Sequence, residues 1–114
     1  MASPIKIPVV QNSNNIRLIF TIKKDGRIES LLGAIVSLQF IDKRSGNTMC
    51  RQCTITDASA AECIYILTKD DLATVGSYQT ELEVEYSNGT KLIKQNPIIL
   101  IVSPEVVENK LCNI

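Results

Sequence analysis

Three glutamates in one segment, Glu81, Glu83 and Glu85, are the residues whose spacing best suits chemistry. Because they alternate with apolar residues, a strand would place the three carboxylates on one face, about 6.5 to 7 Å apart. This separation would suit the paired carboxylates of a glycosidase. A solvated strand face that pairs glutamate with Lys91 or Lys94 across a hairpin is the simpler explanation, so we predict no catalytic residue.

The four cysteines are candidates for a metal site or for disulfide bridges. Cys50 and Cys53 have the C-x-x-C spacing of zinc and redox sites, but their neighbours predict a strand, in which positions i and i+3 point to opposite faces. A tetrahedral zinc site would also need Cys63, Cys112 or a carboxylate. Without a secretory signal we expect a reducing compartment, free thiols, no metal and no cofactor.

Aspartates and one asparagine are the remaining candidate ligands and modification sites. Calcium could use oxygens of Asp42, Asp57, Asp70 and Asp71, but their spacing follows no known calcium loop, and we interpret them as turn and capping residues. Asn88 starts an N-glycosylation sequon, which we expect to stay unmodified without a secretory signal. These patterns therefore predict no catalytic, cofactor-binding or metal site.

Composition excludes several classes of function. The chain has 114 residues, equal numbers of cationic and acidic side chains, and no histidine. A net charge of zero provides no basic face for nucleic acid, and enzymes most often use histidine for proton transfer. Neither a nucleophile elbow nor a phosphate loop is present, and the first ten residues lack the apolar run of a signal peptide or anchor. We expect a non-enzymatic protein that binds neither nucleic acid nor membrane.

A β-hairpin is the strongest structural signal in the sequence. From Thr80 to Tyr86 the alternation of side chains predicts a strand with one buried face. Asn88 and Gly89 follow and suit a two-residue type I′ turn, which needs positive φ at both positions. In that register Val84 opposes Ile93 on the buried face, whereas a three-residue loop would shift the register by one residue.

Turn signals at intervals of about ten residues divide the rest of the chain into short segments. Their hydrophobic patterns predict strands at 5–10, 16–22, 34–40, 48–56, 62–68 and 98–102. Thr68 begins a segment with a helix-capping pattern that Gly76 stops, which predicts a short helical crossover. The predicted fold is all-β, an antiparallel immunoglobulin-like β-sandwich of seven or eight strands with one short helical crossover.

The position of Tyr78 in the sequence gives the best indication of the strand topology. It follows the predicted crossover and Gly76 as the long strand begins, which is the setting of a tyrosine corner, where the hydroxyl bonds back to the crossover backbone. A plain core aromatic residue is the alternative interpretation. We assign structural roles to Gly76, Tyr78, Asn88 and Gly89.

The length predicts a single immunoglobulin-like domain over residues 1–114, with its core at about 15–103. An N-terminal strand or arm would occupy residues 1–14, and a C-terminal tail would occupy 104–114. The first ten or the last ten residues have no evident place in this core, so we expect one of these ends to pack against another subunit.

Six short motifs follow one another between residues 25 and 102. They are Asp25-Gly26, Gly33-Ala34 before Val36-x-Leu38-x-Phe40, Tyr65-x-Leu67-Thr68, Gly76-x-Tyr78-x-x-Glu81, Tyr86-x-x-Gly89 and Pro97-x-x-x-x-Val102. In order and spacing they resemble the immunoglobulin-like N-terminal domain of phage baseplate upper proteins, over roughly residues 15 to 103.

This resemblance implies a structural component of a phage virion, made in the cytoplasm of the bacterial host. Such a protein would act through protein contacts, as a tail or baseplate adaptor or as an accessory or capsid decoration protein. Its partners would be other virion subunits, and we expect a homo-oligomer on the particle.

An adhesin-like module that recognises a host-surface carbohydrate or protein is the alternative function. An aromatic side chain on a loop would favour sugar binding, but all tyrosines and phenylalanines fall in predicted strands or at strand edges. We therefore prefer the virion component.

Overall fold

The computed structural model describes residues 5–105, apart from the side chains of residues 95 and 96. This part of the chain contains ten strands and no helix. The strands are β1 (Ile5–Val10), β2 (Ile16–Thr21), β3 (Lys23–Lys24), β4 (Arg27–Ile28), β5 (Ala34–Asp42), β6 (Thr48–Gln52), β7 (Thr54–Asp57), β8 (Glu62–Leu67), β9 (Gly76–Tyr86) and β10 (Lys91–Ser103). The all-β prediction is confirmed, because alternating apolar residues bury one face of each long strand.

Two sheets share one hydrophobic core. The larger sheet has the strand order β1-β10-β9-β5-β6, and the smaller has the order β2-β8-β7. Buried apolar side chains from both sheets belong to a single cluster. The rings of Phe40 in the larger sheet and Tyr65 in the smaller lie 6.2 Å apart between centroids. Burial of this apolar area is the main favourable term in folding.

The first strand joins the sheet next to the last strand. β1 pairs in parallel with β10, from Ile5 opposite Ile98 to Val10 opposite Ser103, whereas the other strand pairs are antiparallel. Pro8 has no N–H to donate, and its place on an edge strand agrees with that limit. Residues 5–10 therefore belong to the sheet of their own chain. The other expected contact with a subunit involves residues 105–114, of which only Glu105 is among the described residues.

The chain passes from the larger to the smaller sheet at Cys53. The sequence predicted one strand over residues 48–56, but β6 and β7 belong to different sheets. The Cys53 N–H donates to the Val36 carbonyl of β5 at 2.8 Å, and its side chain is buried in the core. A pattern of period two cannot reveal this switch, because both halves keep the same alternation.

Turns replace the short helical crossover predicted between Thr68 and Gly76. The Asp71 N–H donates to the Thr68 carbonyl at 3.0 Å, and the Leu72 N–H donates to the Lys69 carbonyl at 3.2 Å. Both bonds span three residues, and the segment is not helical. One half of the predicted capping pattern is present, because the Asp71 carboxylate accepts from the Thr68 N–H at 2.9 Å. Burial of Asp71 and Leu72 holds this tight geometry, and so short a segment gains little from helix propagation.

A shift in register interrupts β10 between Gln95 and Ile99. Pro97 lies within this shift and cannot donate to the ladder. The Thr80 hydroxyl of β9 donates to the Ile98 carbonyl at 2.7 Å and accepts from the Ile98 N–H at 3.2 Å. One buried threonine therefore satisfies both backbone groups where the sheet ladder is irregular.

Three residues, 87–89, lie between the paired residues Tyr86 and Thr90 at the end of the hairpin, so the predicted two-residue type I′ turn is wrong. The Tyr86 N–H donates to the Thr90 carbonyl at 2.8 Å and closes the loop. Within the loop only Gly89 has a positive φ, of 91°, while type I′ geometry would require it at Asn88 as well. The Asn88 side chain instead accepts from the Thr90 N–H at 2.9 Å, a local bond typical of asparagine in turns.

The longer loop gives the register that the sequence left as its alternative. Leu92 opposes Val84 and packs against the core, whereas Ile93 opposes Glu83 and is 55% exposed. Both residues are apolar, so hydrophobicity alone did not decide which one would be buried. Loop length decided it, because a shift of one residue turns every side chain to the other face.

β3 and β4 form a hairpin separate from both sheets. Its turn residues Asp25 and Gly26 have φ values of 53° and 80°, as a type I′ turn requires. Lys24 opposes Arg27 on the two strands. The two-residue turn that was expected after β9 therefore occurs here.

Gly89→Val is expected to lower the free energy of unfolding by about 1 kcal/mol or more, because a β-branched side chain resists positive φ. Urea denaturation followed by circular dichroism measures the change. Thr90→Val places the same side chain at the next position, where φ is not positive, and should stay within about 0.5 kcal/mol of the parent. An unchanged midpoint for Gly89→Val would contradict the loop geometry.

Candidate functional site: an acidic cleft

An open cleft of about 340 Å³ lies where β5 ends and β9 begins. Its lining contains three carboxylates, and none of the described residues that line it is a lysine or an arginine. We call it the acidic cleft. Its carboxylates are Asp42, Asp70 and Asp71, and its apolar surface includes Phe40, Met49 and Tyr78.

Asp42 ends β5, where it opposes Tyr78 of β9 and begins the turn into β6. The Asp42 carboxylate accepts from the Arg44 N–H at 2.9 Å. This bond is the main cause that holds the pKa of Asp42 below its usual value, with smaller contributions from Ser45. Asp42 is therefore a fixed negative charge on the cleft at neutral pH.

Asp71 is the most heavily bonded side chain of the cleft, and it is only 5% exposed. One carboxylate oxygen accepts from Arg51 Nε at 2.9 Å. The other accepts from the Tyr65 hydroxyl at 2.6 Å and from the Thr68 N–H at 2.9 Å. Arg51 belongs to the larger sheet and Tyr65 to the smaller, so Asp71 connects both sheets to the turns at 68–75.

The charge on Asp71 is stable because its donors outweigh burial. Burial alone would raise the pKa of the carboxyl group, but bonds from Thr68, Tyr65 and Arg51 hold it below its usual value. Burial, followed by the bond to Asp71, raises the pKa of Tyr65 to about 12, so the phenol stays a donor. An ionised, fully bonded carboxylate has no proton to give and little reason to accept one at neutral pH. The arrangement therefore supports a structural role.

The predicted site residue Tyr78 lies beside the cleft and is 8% exposed. Its hydroxyl donates to the Thr74 carbonyl in the preceding turn segment at 2.8 Å. Gly76 begins β9, and a Cβ atom there would lie 3.9 Å from the Tyr78 ring. Asn88 and Gly89 lie in the hairpin loop at the other end of β9 and take no part in the cleft.

The three glutamates of β9 lie on the outer face of the larger sheet and do not line the cleft. Glu85 opposes Lys91, as expected for a charged pair across the hairpin. Lys94 opposes Leu82 instead of a glutamate, because the register is shifted by one residue. The glutamates therefore form a partly solvated face and belong to no catalytic pair with the cleft aspartates.

The described cysteines are free thiols, with Cys50 exposed and Cys53 and Cys63 buried. A hydrogen bond with Cys63, followed by burial, raises the pKa of Cys53, which stays protonated. Cys112 lies outside the described residues. Within residues 5–105 no group of three or more cysteine or carboxylate side chains is placed to hold a metal ion.

Sequence reasoning missed the long-range partners of Asp71. The spacing of Thr68 and Asp71 indicated a local cap, and that bond is present. Arg51 is twenty residues away in the sequence, and no local pattern connects it to a carboxylate on another segment. The only sign of this pair in the sequence is that Arg51 is a charged residue on the half-buried face of β6.

A family model described as the BppU N-terminal domain matches residues 3–113 of the chain. No curated protein matches the sequence. The described part of the chain includes no helix with the length and apolar character that a membrane span requires.

Asp71→Asn is expected to lower the free energy of unfolding by roughly 1–3 kcal/mol, because it weakens bonds from Arg51, Tyr65 and the N–H and hydroxyl of Thr68. The cost stays below that of a fully buried pair, since the Arg51 side chain is 36% exposed and can be solvated. Asp70→Asn, at the exposed neighbouring carboxylate, is the matched control. Equal stability of the two variants at neutral pH would contradict the role of Asp71.

The stability of the parent and that of Asp71→Asn should depend differently on pH in acid. The pKa of Asp71 is lower in the folded chain than its usual value, so its stabilising contribution is complete above about pH 4 and is lost as pH falls through the folded pKa. Thermal melts of the parent should therefore lose stability below about pH 4 more steeply than melts of Asp71→Asn.

Tyr78→Phe should cost about 1 kcal/mol of unfolding free energy, because it removes a donor to the Thr74 carbonyl and keeps the ring. Tyr86→Phe is the control, since the Tyr86 hydroxyl donates to the Ser30 carbonyl at a more exposed site. A Tyr78→Phe chain as stable as the parent would favour the plain core aromatic residue over the tyrosine corner.

Proposed function

We infer the function of this chain from its family, because the chain belongs to the BppU N-terminal domain family. The match over residues 3–113 confirms the resemblance to the N-terminal domain of phage baseplate upper proteins. The chain is therefore a phage baseplate structural protein. This family match is the observation that carries the functional conclusion.

The proposed mechanism is assembly through protein contacts with other virion subunits, as an adaptor or as an accessory protein of the particle. Non-enzymatic function is supported by the chemistry of the acidic cleft, where Asp71 is held by three donors. It is supported also by a composition without histidine. What the cleft offers is fixed charge and shape, which suit recognition of a protein surface better than proton transfer.

An immunoglobulin-like sandwich is the fold proposed for the single domain of residues 1–114. The larger and smaller sheets with a shared core support it, as do the switch of sheet at Cys53 and the bond from the Tyr78 hydroxyl to Thr74. One core cluster extends from Val9 to Val102, which supports a single domain.

Recognition of a host-surface glycan is less well supported. The aromatic residues of the cleft are Phe40, which is 1% exposed, and Tyr78, which is 8% exposed. Neither ring offers the open face on which a sugar stacks. A protein partner is therefore favoured over a carbohydrate.

The chain is expected to copurify with intact particles of the phage that encodes it. Particles purified by density gradient and analysed by mass spectrometry should contain it at a constant ratio to a known tail protein. A nonstructural phage protein from the same lysate is the control and should be absent. Particles that contain every other tail protein but not this chain would contradict a structural role.

Contact of residues 105–114 with a neighbouring subunit remains a prediction, and deletion of residues 106–114 tests it in the same assay. The shortened chain should melt as cooperatively as the parent but be lost from particles. Deletion of the first ten residues is unsuitable as a test, because it removes β1 and uncovers one edge of β10.

A further inference from the structure

The molecule has two ends with different chemistry, which β8 connects. β8 begins at Glu62, directly after Ala61, whose carbonyl accepts from the Ile22 N–H at the base of the β3–β4 hairpin. It ends at Leu67, where the chain enters the turns at 68–75 that line the acidic cleft. The hairpin and the cleft therefore lie at opposite ends of the smaller sheet.

A groove of about 140 Å³ lies beside the hairpin and is lined by Lys23, Lys24 and Lys94. We call it the basic groove. None of the described residues that line it is acidic, and its other side chains are apolar. Asp25 and Glu29 belong to the same hairpin region but do not line the groove. The three lysines are exposed.

The two surfaces are complementary in charge. Three carboxylates line the acidic cleft, and three lysines line the basic groove. Asp71 is paired with Arg51, and the positive charge of Arg44 also acts on Asp42, so Asp70 is the exposed carboxylate of the cleft that has no cation acting on it in this way. Within residues 5–105 the only ion pair is Arg51 with Asp71, so Asp42, Asp70 and the three lysines form none with a described residue. The exposed Asp70 at the cleft and the exposed lysines at the groove therefore place side chains of opposite charge at the two ends.

We propose that the chain binds a second copy of itself head to tail, with the basic groove and β3–β4 hairpin of one copy against the acidic cleft of the next. The inference rests on the proposed assembly function and names a second copy as a partner. Two different surfaces meet, so the contact is heterologous and continues into a ring or an open chain. Its charged pairs favour correct encounter and are screened by salt.

Sedimentation velocity of the full chain tests the contact. At low salt the average mass of the parent should rise with concentration, and at high salt it should fall towards that of the monomer. Asp70→Lys gives a cleft variant, and Lys23→Glu with Lys24→Glu gives a groove variant. Each variant alone weakens the attraction between the two surfaces and should lower the association.

An equal mixture of the cleft variant and the groove variant should associate again, because each then meets a surface of opposite charge. Controls with the same changes in net charge are Glu83→Lys, and Lys6→Glu with Arg17→Glu. These residues line neither surface, and both controls should associate as the parent does. Circular dichroism melts establish that every variant is folded.

A parent that stays monomeric at every concentration in low salt would overturn the proposal, as would association that persists in both variants alone. A mixture that stays monomeric while the parent associates would show that these two surfaces do not meet, and would overturn it equally. Sedimentation measures the purified chain without phage particles. A negative result there is therefore distinct from absence of the chain from virions, which the copurification experiment measures.

Discussion

The bonds to the Asp71 carboxylate hold together three parts of the chain that the hydrophobic core alone would not align. Arg51 reaches it from the larger sheet, Tyr65 from the smaller sheet, and Thr68 from the turns that follow β8. Apolar packing is not directional, so it brings the two sheets together without fixing how they are placed. Directed bonds from three residues to one buried carboxylate do fix the placement, because a buried donor left unpaired would cost free energy. These bonds hold the turn segment against both sheets, and the acidic cleft lies between that segment and the residues of β5, β6 and β9 that line it.

Most of the stability of the molecule comes from its apolar core. The core takes its free energy from side chains such as Leu38, Val36 and Leu82, which are almost fully buried. A buried ion pair adds little net stability, since the loss of hydration offsets much of its attraction, and its value lies in geometry. The exposed Asp70 and the exposed lysines of the basic groove make no ion pair with a described residue and contribute little to folding.

The family match gives the kind of function, and the structure shows which surfaces the described part of the chain presents. A baseplate structural domain must present stable surfaces, and the described residues provide a rigid sheet framework with a cleft at one end and a charged hairpin at the other. Net charge conceals this arrangement, since twelve cationic and twelve acidic residues cancel in the total. Their distribution over the fold, and not their number, decides which partner surface would be attracted.

The sequence by itself determined the elements whose signals are local. Alternating side chains predicted β5 and β9, and the position of Tyr78 at the start of a long strand predicted a bond from its hydroxyl to the segment before it. Each signal depends on residues a few positions apart, and the backbone responds to them wherever the segment lies. The local cap between Thr68 and Asp71 was foreseen for the same reason.

Only the tertiary structure decided the contacts between distant segments. It divided the strand at Cys53 between two sheets, placed β1 parallel to β10, and chose Leu92 over Ile93 for the core. It also brought Arg51 to Asp71, and the acidic cleft is assembled from residues of β5, β6, β9 and the turns at 68–75. Hydrophobic periodicity gives the buried face of a strand but not the neighbour that covers it, because many pairings bury equal apolar area. The choice among them was made by loop length and by buried polar groups, which are satisfied in only one arrangement.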